Sequence, residues 1–204
     1  MKKIAVLASG RGSNFQAVLE NIASGKINGI CVALITDNKD AFAVTRAEQA
    51  RVPVIIHHYK DYPDKAAYEA DLLSSMKKTG ADLFICAGYM RIIGKEIAEE
   101  FAGKMINIHP ALLPAFPGLH SQKQALDYGV KVAGCTVHFV DAGLDSGPII
   151  VQKTVPVLDG DTEDILSDRI LEQEHIAFSE AIALFCDDRL KIEGRHVFIL
   201  PKNT

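Results

Sequence analysis

Asn107 and His109 lie two residues apart in the stretch M-I-N-I-H-P-A-L-L-P-A-F-P-G-L-H, residues 105–120. Met105, Ile106 and Ile108 read as the end of a buried strand, where residues i and i+2 point to the same side. An amide donor and an imidazole on one face, at the C-terminal end of a strand, are suited to stabilising an oxyanion and moving a proton. The same pair also fits a polar strand terminus whose His is hydrogen-bonded to backbone. Pro110, Pro114, Pro117 and Gly118 forbid regular structure beyond His109, so the strand gives way to a stiff loop.

A third candidate comes from D-A-G-L-D-S-G-P, residues 141–148. Its composition is that of a turn. Two carboxylates in a glycine-rich turn are commonly solvated caps. This turn follows a buried strand-like run, residues 132–140, so it could instead swing Asp145 towards His109. Such a pair would hold the imidazole's orientation and favour its protonated form. On that strand Thr136, His138 and Val140 share one face. His138 either lines the cleft or faces a neighbouring strand.

Near the N-terminus, residues 4–8 form a continuous apolar run, as in a strand buried on both faces of a parallel sheet. Ser9-Gly10-Arg11-Gly12-Ser13-Asn14 follows, then a helical stripe of Phe15, Val18, Leu19 and Ile22. Strand, glycine-rich turn and helix together make an anion site, since N–H groups at a helix start point at the ligand. The bland alternative is a tight turn with Ser13 or Asn14 as N-cap. A dinucleotide fingerprint fits poorly. The third glycine position holds Phe15, although Asp37, after the strand at 31–36, could mimic a ribose-binding acid. Compact recognition of one phosphate by Gly12, Ser13 and Asn14 fits better.

The elements that must position these groups alternate. Helical patterns cover residues 41–50, 65–78 (with Tyr68, Leu72, Leu73 and Met76 apolar), 97–101 and 162–185; strand-like runs cover 54–56, 82–87 and 149–157. Ser121 reads as the cap of a helix through Asp127. The last helix carries a core stripe of Leu166, Ile170, Ala177, Phe178, Ala181 and Phe185. Glu174 falls on that stripe, where a carboxylate needs a partner, either a protein cation or a polar ligand. After the strand at 82–87, Met90-Arg91-Ile92-Ile93 is either an apolar wall for a flat ring system or a loop anchored by its isoleucines. His57 and His58 are adjacent, face opposite ways on a strand, and read as surface histidines rather than metal ligands. Residues 189–201 read as a terminal strand and tail.

The 204 residues are 48% hydrophobic and 24% charged, enough for a real core, with no repeat or linker. The net charge of −4 argues against a dedicated nucleic-acid binder. Cys31, Cys86, Cys135 and Cys186 form no C-x-x-C pair and read as reduced thiols of a cytoplasmic protein. The apolar run after Met1-Lys2-Lys3 is too short for a signal peptide, and no run reaches membrane-spanning length.

The N-I-H-P…L-L-P…P-G segment, the G-C-T-V-H-F-V strand and the D-A-G-L-D-S-G-P turn together resemble the folate-dependent formyltransferases. The G-x-G-S-N start and the short length narrow the resemblance to members that formylate glycinamide ribonucleotide in purine synthesis. The resemblance covers essentially the whole chain. It implies an α/β fold with a mostly parallel central sheet, helices on both faces and a Rossmann-like N-terminal half. It implies one formyltransferase domain over residues 1–204, with about 1–104 binding the nucleotide phosphate and about 105–204 completing the catalytic and folate site.

By the same resemblance Asn107, His109 and Asp145 are catalytic. Gly12, Ser13 and Asn14 take the substrate phosphate, and Glu174 its ribose end. Lys65, Met90, Arg91, Ile92, Ile93, Asn107, Asp141, Ala142, Gly143, Leu144 and Asp145 border the folate. The implied donor is 10-formyltetrahydrofolate, with no metal, no membrane and only small-molecule substrates; the oligomeric state is left open. Ala111 departs from the family, in which a serine often follows the His-Pro pair, and this removes no catalytic group. Rival readings are a methionyl-tRNA formyltransferase or formyltetrahydrofolate hydrolase, each expected to carry a further domain, a nicotinamide-dependent oxidoreductase, and a non-catalytic binding module on the same fold.

Overall fold

The computed structural model describes residues 1–202. The chain alternates strand and helix through β1 (Lys2–Leu7), α1 (Ser13–Ala23), β2 (Gly29–Thr36), α2 (Phe42–Gln49), β3 (Val54–Ile56), α3 (Lys65–Thr79), β4 (Leu83–Cys86), α4 (Lys95–Glu100) and β5 (Met105–His109). It continues through α5 (Ser121–Tyr128), β6 (Val132–Phe139), β7 (Ile149–Pro156), α6 (Glu163–Cys186), β8 (Leu190–Glu193) and β9 (His196–Ile199). The first seven strands form one sheet in the order β3-β2-β1-β4-β5-β6-β7. β1 pairs in parallel with β2 and β4, and β2 with β3, whereas β6 and β7 are antiparallel. This is the expected α/β class with a mostly parallel sheet. By contact the chain divides into two compact units, residues 1–106 and residues from 107 on.

In the first unit Ile4, Ala5, Val6 and Leu7 are fully buried. A central strand needs such a run because both of its faces are covered. From β1 the chain moves outward through β2 to β3, then returns past β1 to β4. Right-handed crossovers put α1 and α2 on one face and α3 on the other. The reversal leaves β1 and β4 adjacent, with their outgoing connections diverging. Sheets of this kind bind ligands at the carboxyl ends of such a strand pair. The segments that leave those ends are the glycine-rich turn after β1 and the Met90–Ile93 loop after β4.

His57 is not a surface residue. β3 stops at Ile56, so strand alternation no longer applies, and a 3-10 turn at Tyr59–Asp61 folds back towards α3. His57 is buried. Tyr62 gives its own proton to Asp71 at 2.7 Å, so its oxygen accepts from His57 Nδ1 at 2.8 Å. Burial lowers the imidazole's proton affinity, and Asp71 opposes the shift. His58 is exposed, as expected, beside Asp61.

In the second unit α6 packs across β6 and β7. It starts at Thr162, whose hydroxyl accepts the Ile165 N–H at 3.3 Å. Leu166, Ile170, Glu174, Ala177, Phe178 and Ala181 are buried as the periodicity predicts. Phe185 is only half-buried, because the last turn instead buries Ile182, Leu184 and Cys186. Two expectations fail here. Ser121 is the first helical residue of α5 and does not cap it; His120 precedes it in the left-handed conformation, and Ser121 Oγ donates to the Pro110 carbonyl at 3.2 Å. The C-terminal segment is a hairpin rather than one strand. Glu193 pairs with His196, so the two-residue connection Gly194-Arg195 reverses the chain and β8 and β9 form a sheet of their own. Among the described residues no helix is long and apolar enough to cross a membrane.

Candidate active site

Asn107 and His109 end β5 on one face, His109 buried and Asn107 half-buried. His109 Nδ1 faces Asp145 Oδ2 at 3.4 Å. Its Nε2 lies 2.9 Å from the Phe116 carbonyl. The bond to backbone expected of a polar strand terminus is present at one ring nitrogen, and the other nitrogen faces a carboxylate. Both neighbours are acceptors, so the ring serves both only with a proton on each nitrogen. Asp145 Oδ2 also accepts the Gly118 N–H at 2.8 Å, which ties the proline loop to the carboxylate.

His138, fully inside, joins this cluster. Its Nδ1 lies 2.8 Å from the Phe139 carbonyl and its Nε2 3.3 Å from Asn107 Nδ2. Asp145 Oδ1 is 3.8 Å from the same Nε2. Burial lowers the proton affinity of His138, and the Phe139 carbonyl and Asp145 only partly oppose this. A neutral ring must put its one proton on Nδ1, where the carbonyl waits, leaving Nε2 to accept from the Asn107 amide. The neighbouring-strand reading of His138 holds, because its partner Asn107 is on β5 beside β6. Alternation alone left this open, since the β6–β7 register shifts between Val137 and His138.

Two devices hold the cluster. Buried Thr136 donates to the Ala111 carbonyl at 2.6 Å and accepts the Leu113 N–H at 3.0 Å and Gln152 Nε2 at 2.9 Å. Gln152 also donates to the Leu113 carbonyl at 2.9 Å. The start of the proline loop is thus clamped to β6 and β7. In the 141–148 turn, Asp141 Oδ1 accepts the Gly143 N–H at 3.0 Å and the Ser146 hydroxyl at 2.6 Å. A Cβ at Gly147 would overlap the Phe139 carbonyl, so glycine lets the turn close back on β6. Arg195 from the terminal hairpin donates to the Ser146 carbonyl at 2.8 Å. Neither Thr136, Gln152 nor Arg195 stood out in the sequence. Ala142, Gly143 and Leu144 are exposed at the tip of the turn.

The first unit carries the glycine-rich turn before α1. Gly12, not Ser13 or Asn14, is the N-cap of α1, with φ 67° and no side-chain cap. The dipole end of the helix is therefore left open to an anion. A Cβ at Gly12 would lie 2.8 Å from that of Ala43, so glycine is also required by the packing of α2. Arg46, unmarked by any motif, donates through Nε to the Arg11 carbonyl and through Nη1 to Gln16, each at 3.0 Å, which sets a cation beside the loop.

After β4, Met90 and Ile92 are 66% and 71% exposed, whereas Ile93 is half-buried, so the loop both anchors and presents apolar surface. Lys65 opens α3 and pairs with Glu69 at 3.3 Å. That carboxylate lies where a Cβ of Gly94 would fall, just past the loop. Glu174 is buried on α6, has a partner within the protein, and adds to the burial that pushes the Cys135 thiol up to about 12.

A family model described as formyl transferase matches residues 2–182. The chain is 45% identical over 186 residues to the trifunctional purine biosynthetic protein adenosine-3 of Drosophila melanogaster, which covers 90% of this chain but only 14% of that much longer protein. It is 43% identical over 175 residues to the phosphoribosylglycinamide formyltransferase of Bacillus subtilis, covering 86% of this chain and 90% of the relative. The crystal structure of glycinamide ribonucleotide transformylase 1 from Symbiobacterium toebii matches with a TM-score of 0.96 at 49% identity, over 98% of this chain and 95% of that one. Motif order, fold and full-length similarity agree, and the chain belongs to the formyltransferase family, among the phosphoribosylglycinamide formyltransferases.

Proposed function

We propose that the protein transfers the formyl group of 10-formyltetrahydrofolate to the primary amine of glycinamide ribonucleotide, a step of purine synthesis. The observation that carries this reading is the cluster of Asn107, His109 and Asp145, with the Asn107 amide held as a donor and the imidazole between two acceptors. When the amine attacks the formyl carbon, a C–N bond forms and the carbonyl electron pair moves onto oxygen. Asn107 Nδ2 donates to that oxygen, an interaction whose loss costs roughly 100- to 1,000-fold in rate at comparable sites. The His109 imidazole, with an acceptor at each ring nitrogen, is the group that would pass protons between the reacting groups. Collapse breaks the bond from the formyl carbon to the folate nitrogen. One proton passes from the attacking amine to that nitrogen, so the transfer is balanced without a further reactant.

Gly12, Ser13 and Asn14 would hold the substrate phosphate through the open start of α1, with Arg46 adding charge. Glu174 would take ribose hydroxyls. Met90 to Ile93 offer exposed apolar groups for a flat ring system; Lys65 and the 141–145 turn complete the folate contacts in this reading. It extends to a cytoplasmic setting, supported by Cys31, Cys86, Cys135 and Cys186 forming no disulfide.

The test is to incubate the protein with 10-formyltetrahydrofolate, with and without glycinamide ribonucleotide, and to follow deformylated folate. Release that requires the amine is expected. Release without it would make the protein a hydrolase, and none under either condition a binding module.

A further inference from the structure

Asp37 directly follows β2, where dinucleotide-binding sheets place the acid that takes a ribose hydroxyl. Here the carboxylate is engaged from within. Arg91 Nε donates to Asp37 Oδ2 at 2.8 Å, and the Arg91 guanidinium lies over the Tyr59 ring, 4.5 Å from its centroid. The Asp37 side chain is 8% exposed, and among the described residues its other oxygen has no hydrogen-bond partner and Arg91 is the cation paired with it. Around it Tyr68 and Tyr89 share a hydrogen bond between hydroxyls, and both feel the Asp37 charge.

Two further bonds fix the same segment. The Met90 N–H donates to Ser9 Oγ at 2.9 Å, and the Ser9 N–H donates to the Gly88 carbonyl at 3.1 Å. Asn38 Nδ2 reaches the Ser9 carbonyl at 3.4 Å. The ends of β1, β2 and β4 are thus knitted through Ser9, Asn38, Asp37 and Arg91. The Met90 backbone and the Arg91 side chain are tied down, while the side chains of Met90 and Ile92 stand out into solvent. An apolar loop of this kind would otherwise turn its isoleucine and methionine inward.

We propose that Asp37 is a positioning residue for the formyl donor: through Arg91 and Tyr59 it holds the Met90–Ile93 loop with its apolar side chains outward, as a preformed wall for the donor's flat ring system. The inference rests on the reading of that loop as the folate wall.

The experiment measures KM for 10-formyltetrahydrofolate, KM for glycinamide ribonucleotide, kcat and melting temperature for Asp37→Asn, Arg91→Gln, their double variant and Ile92→Ser. Each of the first two should raise the folate KM by roughly tenfold or more, the scale of one hydrogen bond to a charged group. The double variant should be no worse than the singles, because the two side chains act as one unit. The KM for the ribonucleotide should stay within about twofold, a split that general loosening of the fold would not give. Arg91→Lys, which keeps the charge but loses the fixed Nε donor, serves if Asp37→Asn does not fold, and should raise the folate KM in the same way. If Ile92→Ser raises the folate KM but neither Asp37→Asn nor Arg91→Lys does, the positioning role is wrong and the wall stands. If Ile92→Ser leaves it unchanged, the wall reading fails and the positioning role falls with it.

Discussion

His138 accepts a hydrogen bond from Asn107, its Nε2 3.3 Å from the amide nitrogen, because its Nδ1 proton is committed to the Phe139 carbonyl at 2.8 Å. The relationship fixes which end of the Asn107 amide faces its partners. Nδ2 is turned towards His138, and in the proposed reaction its second N–H would donate to the developing oxyanion.

His138→Phe removes the acceptor while keeping a ring in a buried place. The turnover number should fall roughly tenfold to 100-fold, towards the cost of losing an oxyanion donor, with both KM values little changed. Protonating Nε2 would turn the acceptor into a donor that opposes the amide and draws on Asp145. Burial lowers the proton affinity of His138, so this failure belongs below the ordinary imidazole range, and activity should decline as pH falls through it. The variant's pH–rate profile should lack that acid limb. A full limb in a folded His138→Phe would assign the titration elsewhere.

Asp145→Asn keeps the size and removes the charge beside His109 Nδ1. The rate should fall by roughly two orders of magnitude or more, the scale of general acid–base catalysis. An amide can still accept the Gly118 N–H, so the proline loop should stay in place and ligand affinities should move far less. Near-normal turnover in a folded variant would remove Asp145 from the mechanism.

Ser13→Asp separates helix stability from anion binding. A carboxylate in the first turn of α1 favours the helix dipole, so the melting temperature should hold or rise slightly. The same charge repels a phosphate, so the KM for glycinamide ribonucleotide should rise by roughly tenfold or more while that for folate holds. Inorganic phosphate should inhibit the wild type competitively against the ribonucleotide and inhibit this variant less. Gly12→Val is the poorer probe, because its Cβ meets Ala43 and its φ of 67° disfavours a branched residue. Unchanged phosphate inhibition in Ser13→Asp would place the anion elsewhere.

Asp161 should govern part of the acid limit of the fold. Arg169 holds it by two hydrogen bonds of 2.6 and 2.9 Å, and together with the Leu158 N–H lowers its pKa from 3.8 to about 2. A carboxylate depressed in the folded state stabilises it above the unfolded value and loses that contribution as pH falls through the folded one. The loss therefore falls between about pH 4 and pH 2. Arg169→Gln should lower stability modestly at neutral pH, with the difference from the wild type shrinking as pH falls through that window, and so move the acid-unfolding midpoint upward. Identical acid transitions in the two proteins would contradict this.

The sequence by itself determined the alternation of elements, the buried run of β1, the glycine-rich turn before α1 and the facing of Asn107 and His109, because each follows from local periodicity and residue stereochemistry. It also marked Glu174 as a carboxylate among apolar neighbours. It did not determine that His57 is buried, that residues 189–201 reverse into a hairpin, or that His138 belongs with Asn107. Those outcomes depend on contacts between residues far apart in the chain. The register shift at Val137 and His138 is a property of two paired strands. The place of Asp145 depends on Gly147 closing against Phe139, and on Arg195 holding the Ser146 carbonyl from 49 residues away. Asp37 and Arg91, 54 residues apart, became one unit only when the sheet brought the ends of β2 and β4 to the same edge, since an ion pair is set by distance in space and leaves no period in the sequence.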